Sequence, residues 1–276
     1  MLLIERGHGA PLVFVPGLQG RWEYARPAID ALADSFSVVT FPLRDEPSSG
    51  VAASPASGLD FYADQVAAAL DATRQARAIV CGLSFGGLVA LRLAARSPDR
   101  VDALVLASTP GPGWKPSRRH AVYARLPWLF GPVFLAEAPG RAHGEVKAAL
   151  PTLHARLAFG LSMARTLASA PPSPARMAAR ATLMAAYDAT ADCARVSTPT
   201  LVITGEARLD RVVPVEETAR YARLIPGAER VVLERTGHQG ALTRPEAFAA
   251  LIRDFSLRVN RERGAQAGSS GRHDAA

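Results

Sequence analysis

Short apolar runs alternate with amphipathic stretches over most of the chain. Leu12 to Val15 ("LVFV") is an apolar run closed by Pro16-Gly17, which reads as a buried strand and its turn. Trp22 to Ala33 has helical spacing, and Ser37 to Phe41 ("SVVTF") is a second strand. Pro, Ser and Gly mark the following "PLRDEPSSGVAASPASG" as a loop. An amphipathic helix over Leu59 to Gln75, a strand over Ala78 to Gly82, a helix over Phe85 to Arg96 and a strand over Val101 to Ala107 continue the alternation. The rhythm then breaks. Thr109 to Thr198 has helical spacing and no convincing strand. From Pro199 it resumes: "PTLVITG" is a strand, Val215 to Leu224 a helix, Arg230 to Glu234 a strand and Arg244 to Val259 a helix. The end, "RERGAQAGSSGRHDAA", is polar and rich in Gly, Ser and Ala, and reads as a disordered tail over 261–276.

Strands alternating with helices predict a mostly parallel central sheet with helices on both faces. The core is expected over 1–108 and 199–260, with 109–198 as an inserted helical cap, or lid. In such sheets ligands bind beyond the C-terminal ends of the strands. The chemistry is therefore sought in side chains that directly follow strands.

Ser84 meets that condition. It sits in "CGLSFGG" (Cys81 to Gly87), after one strand and before a helix, with glycines two residues to either side. The G-x-S-x-G pattern alone is weak evidence. In this setting it describes a nucleophile elbow, a sharp turn that exposes the hydroxyl. A serine needs a base. Of the six histidines, His8 precedes the first strand, His120, His143 and His154 fall in the insertion, and His273 is in the tail. Only His238, in "TGHQG", directly follows a sheet strand. The third member, which would orient the imidazole, is Asp210 in "GEARLDRVVP", with Glu206 as its rival; Asp102 starts its strand and is excluded. The oxyanion hole would use the backbone N–H of Phe85 and that of Leu18 in "PGLQG", with Gln19 as the second choice.

The stretches "LVFVPGLQG", "VCGLSFGGLVALRLAARSPDRVDALVLAS" and "PTLVITGEARLDRVVPVEETARYARLIPGAERVVLERTGHQG", with "RPEAF", resemble the α/β-hydrolase superfamily over roughly residues 1 to 260. The resemblance implies the α/β-hydrolase fold with an inserted lid, and a catalytic triad of Ser84, Asp210 and His238 that needs no cofactor and no metal. A serine nucleophile is unlike the haloalkane dehalogenases and epoxide hydrolases of this fold, which use aspartate. Pro16 stands where many relatives carry histidine, Arg208 and Leu209 are extra before Asp210, and the loop after Phe41 lacks the usual Arg-Gly-x-Gly. The implied activity is hydrolysis of a carboxylic ester, with a small-molecule acyl or ester substrate. A thioesterase, acyltransferase, C–C bond hydrolase or cofactor-free peroxidase would use the same residues. The rival from another class is a ligand-binding protein of this fold with little turnover.

Composition adds four constraints. There is no apolar run long enough to span a membrane, so no integral membrane segment is expected. The start, "MLLIERGHGA", lacks a secretory signal pattern, so a cytoplasmic protein is expected. Cys81 and Cys193 suggest neither a disulfide framework nor a zinc site. The net charge of +7 is unaccompanied by any basic run or nucleic-acid motif, so no nucleic acid is expected as a partner. The lid holds eleven basic and four acidic residues, and so carries a charge equal to that of the whole chain. Two readings stand: a solvated outer face, or a surface that draws in anionic substrates, an acidic acyl-carrier protein or a membrane. Trp128, Phe130 and Phe134 in "LPWLFGPVFLA" either line an acyl pocket or serve the lid's own packing.

Overall fold

The computed structural model describes residues 1–50 and 58–270; residues 51–57, part of the expected loop, lie outside the described residues. One sheet has the strand order β1-β3-β2-β4-β5-β6-β7. The strands are β1 (Ile4–Arg6), β2 (Ala10–Val15), β3 (Phe36–Thr40), β4 (Ala78–Leu83), β5 (Val101–Ala107), β6 (Thr200–Thr204) and β7 (Glu229–Val232). β1 pairs antiparallel with β3, and the other pairs are parallel.

β2 to β6 read as largely apolar runs because they are mostly buried on both faces of the sheet. Alternate residues of β2 go to opposite sides. Val13 and Val15 join Val80, Leu104 and Leu106 beneath α2 (Asp60–Ala72) and α3 (Phe85–Arg96). Leu12 and Phe14 join Ile79 and Val105 beneath α1 (Arg26–Ala33), the short α12 (Gly240–Thr243) and α13 (Pro245–Ser270).

Three details differ from the sequence reading. β1 was not foreseen, being three residues long and half exposed at the sheet edge. The helix expected over Val215 to Leu224 is two pieces, α10 (Val215–Ala219) and α11 (Tyr221–Leu224), interrupted at Arg220. The first residues of the expected tail continue α13, which runs to Ser270. Its extension is tied to the core by Arg263, which donates to Asp102 Oδ1 (2.9 Å) and to the Asp102 carbonyl (2.6 Å). Residues 271–276 lie outside the described residues.

Residues 109–198 form α4 (Arg118–Arg125), α5 (Pro127–Ala136), α6 (Ala138–Ala149), α7 (Leu153–Ser169), α8 (Pro174–Ala186) and α9 (Ala189–Cys193). Ion pairs fasten this helical segment to the core. Arg92 of α3 bridges Asp60 (2.8 Å) and Asp192 of α9 (3.0 Å). Arg180 of α8 is fully buried and donates to Asp45 (2.6 Å), Glu46 (2.6 Å) and the Leu18 carbonyl (2.8 Å). Its guanidinium fills the place a side chain at position 20 would need. A Cβ on Gly20, whose φ is +73°, would fall 2.3 Å from Nη1.

Removing one partner of a buried ion pair strands the other. Arg180→Met, which keeps the apolar stem, should therefore lower stability by about 3–5 kcal/mol. The urea unfolding midpoint would report it. A loss below about 1 kcal/mol would class the bridge with solvated surface pairs.

Candidate active site

Ser84 joins β4 to α3 with φ 54° and ψ −116°, a conformation that L residues rarely adopt. Backbone bonds hold it there: Ser84 N–H donates to the Ala107 carbonyl (2.8 Å), and Gly87 N–H donates to the Ser84 carbonyl (2.9 Å). The flanking glycines are required by contact. A Cβ on Gly82 would lie 2.2 Å from the Gly86 carbonyl oxygen, and one on Gly86 would lie 2.2 Å from that of Val15.

The loop after β7 brings His238 to the elbow. Its Nε2 lies 3.1 Å from Ser84 Oγ. On the other side of the ring, Nδ1 is 3.5 Å from Asp210 Oδ2. That is an ion-pair separation, long for a closed hydrogen bond, and such bonds commonly tighten only when substrate is bound. Asp210 is itself fixed: Oδ1 accepts the N–H groups of Val212 (2.8 Å) and Val213 (2.9 Å), and its side chain is 1% exposed. Burial pushes its carboxyl up, but contact with His238 and the two N–H bonds outweigh this, leaving it below the ordinary carboxylate value.

Glu206 is engaged elsewhere. It accepts the Arg235 N–H (2.6 Å) and pairs with Arg208 (2.7 Å). Of the two candidate acids, the structure brings Asp210 to the histidine.

The loop after β2 lies against the elbow, since a Cβ on Gly17 would sit 3.6 Å from Ser84 Cβ. Leu18 and Ser84 line one cleft. The Leu18 carbonyl is the one held by Arg180. The Phe85 ring is buried in the core against Tyr62 (centroids 5.2 Å apart). As the first residue of α3, Phe85 has an N–H with no partner within the helix.

The cleft lies between the core and the helices of residues 109–198. Its walls include Trp114, Phe134, Met177 and Met184, with Arg141 and Arg211 as its charged members. Only one of the three expected aromatic liners holds this position. Phe134 lines the cleft, capped by the Arg141 guanidinium 4.4 Å from its ring. Phe130 stacks on Tyr123 (5.1 Å) within the lid, and Trp128 points to solvent at 76% exposure. An aromatic run on a helix says which residues are large, not which face turns inward. The spacing of Met177, Ala181 and Met184 on α8, at i, i+4 and i+7, was the readable signal for a lining face.

Glu145 escaped the sequence reading. It reaches from α6 to the histidine loop, is 2% exposed, and accepts the Gln239 N–H (3.0 Å); its other oxygen is 3.2 Å from the Thr243 hydroxyl. Burial holds this carboxyl above its ordinary value, against the pull of the Gln239 and Gly237 N–H groups. Nothing in the local sequence of α6 points to it.

Comparison with known proteins follows the same lines. Residues 10–245 match the family model for the alpha/beta hydrolase fold. The chain is 30% identical over 258 residues to the pimeloyl-[acyl-carrier protein] methyl ester esterase of Nitrosomonas europaea, covering 88% of this chain and 94% of that one. It is 26% identical to a protein of Caulobacter sp. (strain K31) named as a carbamate hydrolase, RutD, over 92% of this chain and 95% of the other. Among solved structures, a thermophilic esterase from Thermogutta terrifontis superposes with a TM-score of 0.75 at 26% identity, covering 94% of this chain and 93% of that one.

Proposed function

The chain belongs to the alpha/beta hydrolase family, and on that premise we propose that it is a serine hydrolase that cleaves a carboxylic ester, or a related acyl compound, through an acyl-enzyme. The observation that carries the reading is Ser84 Oγ, on its strained turn, 3.1 Å from His238 Nε2.

The steps follow from the positions of the groups. With the Nδ1 proton turned toward Asp210, Nε2 is free to accept. It takes the Ser84 proton as Oγ attacks the acyl carbonyl. The carbonyl oxygen becomes an oxyanion, held by the N–H groups of Phe85 and Leu18 and by the N-terminus of α3. Asp210 stabilises the imidazolium. The tetrahedral intermediate collapses, His238 gives its proton to the leaving alcohol, and Ser84 carries the acyl group. Water then enters, His238 takes one of its protons, and a second tetrahedral intermediate releases the acid and restores the Ser84 hydroxyl.

The substrate's acyl part belongs in the apolar cleft under the lid. Burying each methylene contributes up to about 0.8 kcal/mol. Along a series of p-nitrophenyl esters, kcat/KM should therefore rise about two- to fourfold per methylene, and flatten once the cleft is filled. A fluorophosphonate should label the protein on the peptide that contains Ser84. No labelling, or a rate indifferent to chain length, would count against this reading. An ester borne on an acidic carrier protein, as in the name of the Nitrosomonas europaea relative, would meet the basic lid; the vesicle experiment below tests that partner against a membrane.

A further inference from the structure

The lid is apolar on its outside. Helix α5, "PWLFGPVFLA", has no charged residue, and its only polar atom beyond the backbone is the Trp128 indole N–H; yet of its ten residues only Gly131 is buried. A helix apolar all round ordinarily lies inside a core. Its inner face is explained by the cleft, which Pro127, Gly131, Phe134 and Leu135 line. Its outer face, with Trp128, Leu129 and Val133, is exposed. Val122 and Leu126 continue that exposure along the preceding segment. Helix α7 runs for 17 residues without one buried residue. Its Leu153, Leu157 and Leu161 recur every fourth position at 69%, 65% and 52% exposure. The lid is a third of the chain and, among the described residues, holds nine of the fourteen exposed large hydrophobic side chains.

Cations share these rows. Arg165 takes the next place after Leu161 on α7, and Arg118 and Arg125 flank Val122 on one face of α4. All three arginines are exposed, and none has an ion-pair partner among the described residues. Apolar rows exposed on α4, α5 and α7 call for a partner. A second copy is disfavoured, since it would set one lid of net charge +7 against another. A neutral apolar partner would leave the arginines unanswered. Headgroups of one negative charge above hydrocarbon answer both features, and an exposed tryptophan suits the boundary between them.

We propose that the outer face of the lid docks on an anionic lipid surface. Among the described residues no helix is long and apolar enough to cross a membrane, so the contact is superficial. α5 then separates the lipid from the cleft. That an ester dissolved in the lipid is the substrate rests on the function proposed above; the docking does not.

The test is co-sedimentation with vesicles of phosphatidylcholine alone or enriched in phosphatidylglycerol, at low and at physiological salt. The full chain should bind the anionic vesicles about tenfold better than the neutral ones, and lose most of that advantage as salt rises. Leu157→Ser with Leu161→Ser should weaken binding about tenfold while hydrolysis of soluble p-nitrophenyl acetate is unchanged. Should that pair fail to fold, Arg118→Glu with Arg125→Glu should abolish the preference for anionic vesicles. Equal binding to both vesicles, or none, overturns the proposal. So does a dimer in light scattering that the leucine substitutions dissolve, or binding to an acidic acyl-carrier protein without binding to vesicles. Sedimentation needs no turnover: docking without ester hydrolysis or fluorophosphonate labelling would sink the proposed function alone, and hydrolysis without docking would sink this inference alone.

Discussion

Ser84→Ala should fold like the parent and lose about 10⁵- to 10⁶-fold in kcat, roughly 7–8 kcal/mol of transition-state stabilisation. The substitution removes only Oγ. Alanine keeps the same Cβ at φ 54°, so it leaves the strained backbone between β4 and α3 no worse off. His238 Nε2 loses the group 3.1 Å away whose proton it would take. The proposed oxyanion site, the N–H groups of Phe85 and Leu18, would remain to polarise a bound ester for attack by water, so the residual rate should exceed the uncatalysed one. Fluorophosphonate labelling should vanish with the activity. Near-parent turnover of p-nitrophenyl esters by this variant would place the nucleophile elsewhere.

Asp210→Asn should cost on the order of 10⁴-fold in kcat, and Glu206→Gln should change it little. An amide at position 210 can offer its N–H₂ to Nδ1, which favours the tautomer with the proton on Nε2, where it blocks the base. It also withdraws the negative charge that balances the imidazolium. Glu206 satisfies Arg208 and the Arg235 N–H, neither of which touches the histidine. A larger loss for Glu206→Gln than for Asp210→Asn would show that the acid is Glu206. The linkage has a definite sign. The Asp210 carboxyl lies below its ordinary value in the folded chain, so its contribution to stability is present above the unfolded carboxylate pKa. That contribution fades as pH falls through the folded value, and Asp210→Asn should therefore flatten the acid side of the stability profile.

Most of the sheet was legible because β2 to β6 are mostly buried on both faces and interrupt the helical spacing. Ser84 and His238 were legible for a related reason: each directly follows a parallel strand, at the edge of the sheet where ligands bind. Asp210 was preferred to Glu206 on the resemblance alone, because both follow β6 and their spacing does not separate them; the path of the loop puts Asp210, not Glu206, beside His238. β1 is too short and too exposed for its pattern to rise above the background. Glu145 and Arg180 are beyond the reach of spacing, since their partners stand 94 and up to 162 residues away along the chain. The helix past residue 260 was hidden by its composition, and what fastens it is Arg263 on Asp102, again a distant pairing. Trp128 and Phe130 show the limit from the other side: apolar size was read correctly, but the face was not.

The buried lid charges also bear on motion. Lifting α8 would leave Arg180 without Asp45 and Glu46, and lifting α6 would pull Glu145 from the histidine loop. Helix α9 is held in the same way by Arg92 on Asp192. Each such opening separates a charge from its buried partners, and so lies high among local unfolding events. Helices α4 and α7 have no buried residue, and α5 has one. Burial thus differs within residues 109–198: α6, α8 and α9 each carry a buried charged residue paired outside the segment, whereas α4 and α7 carry no buried residue at all.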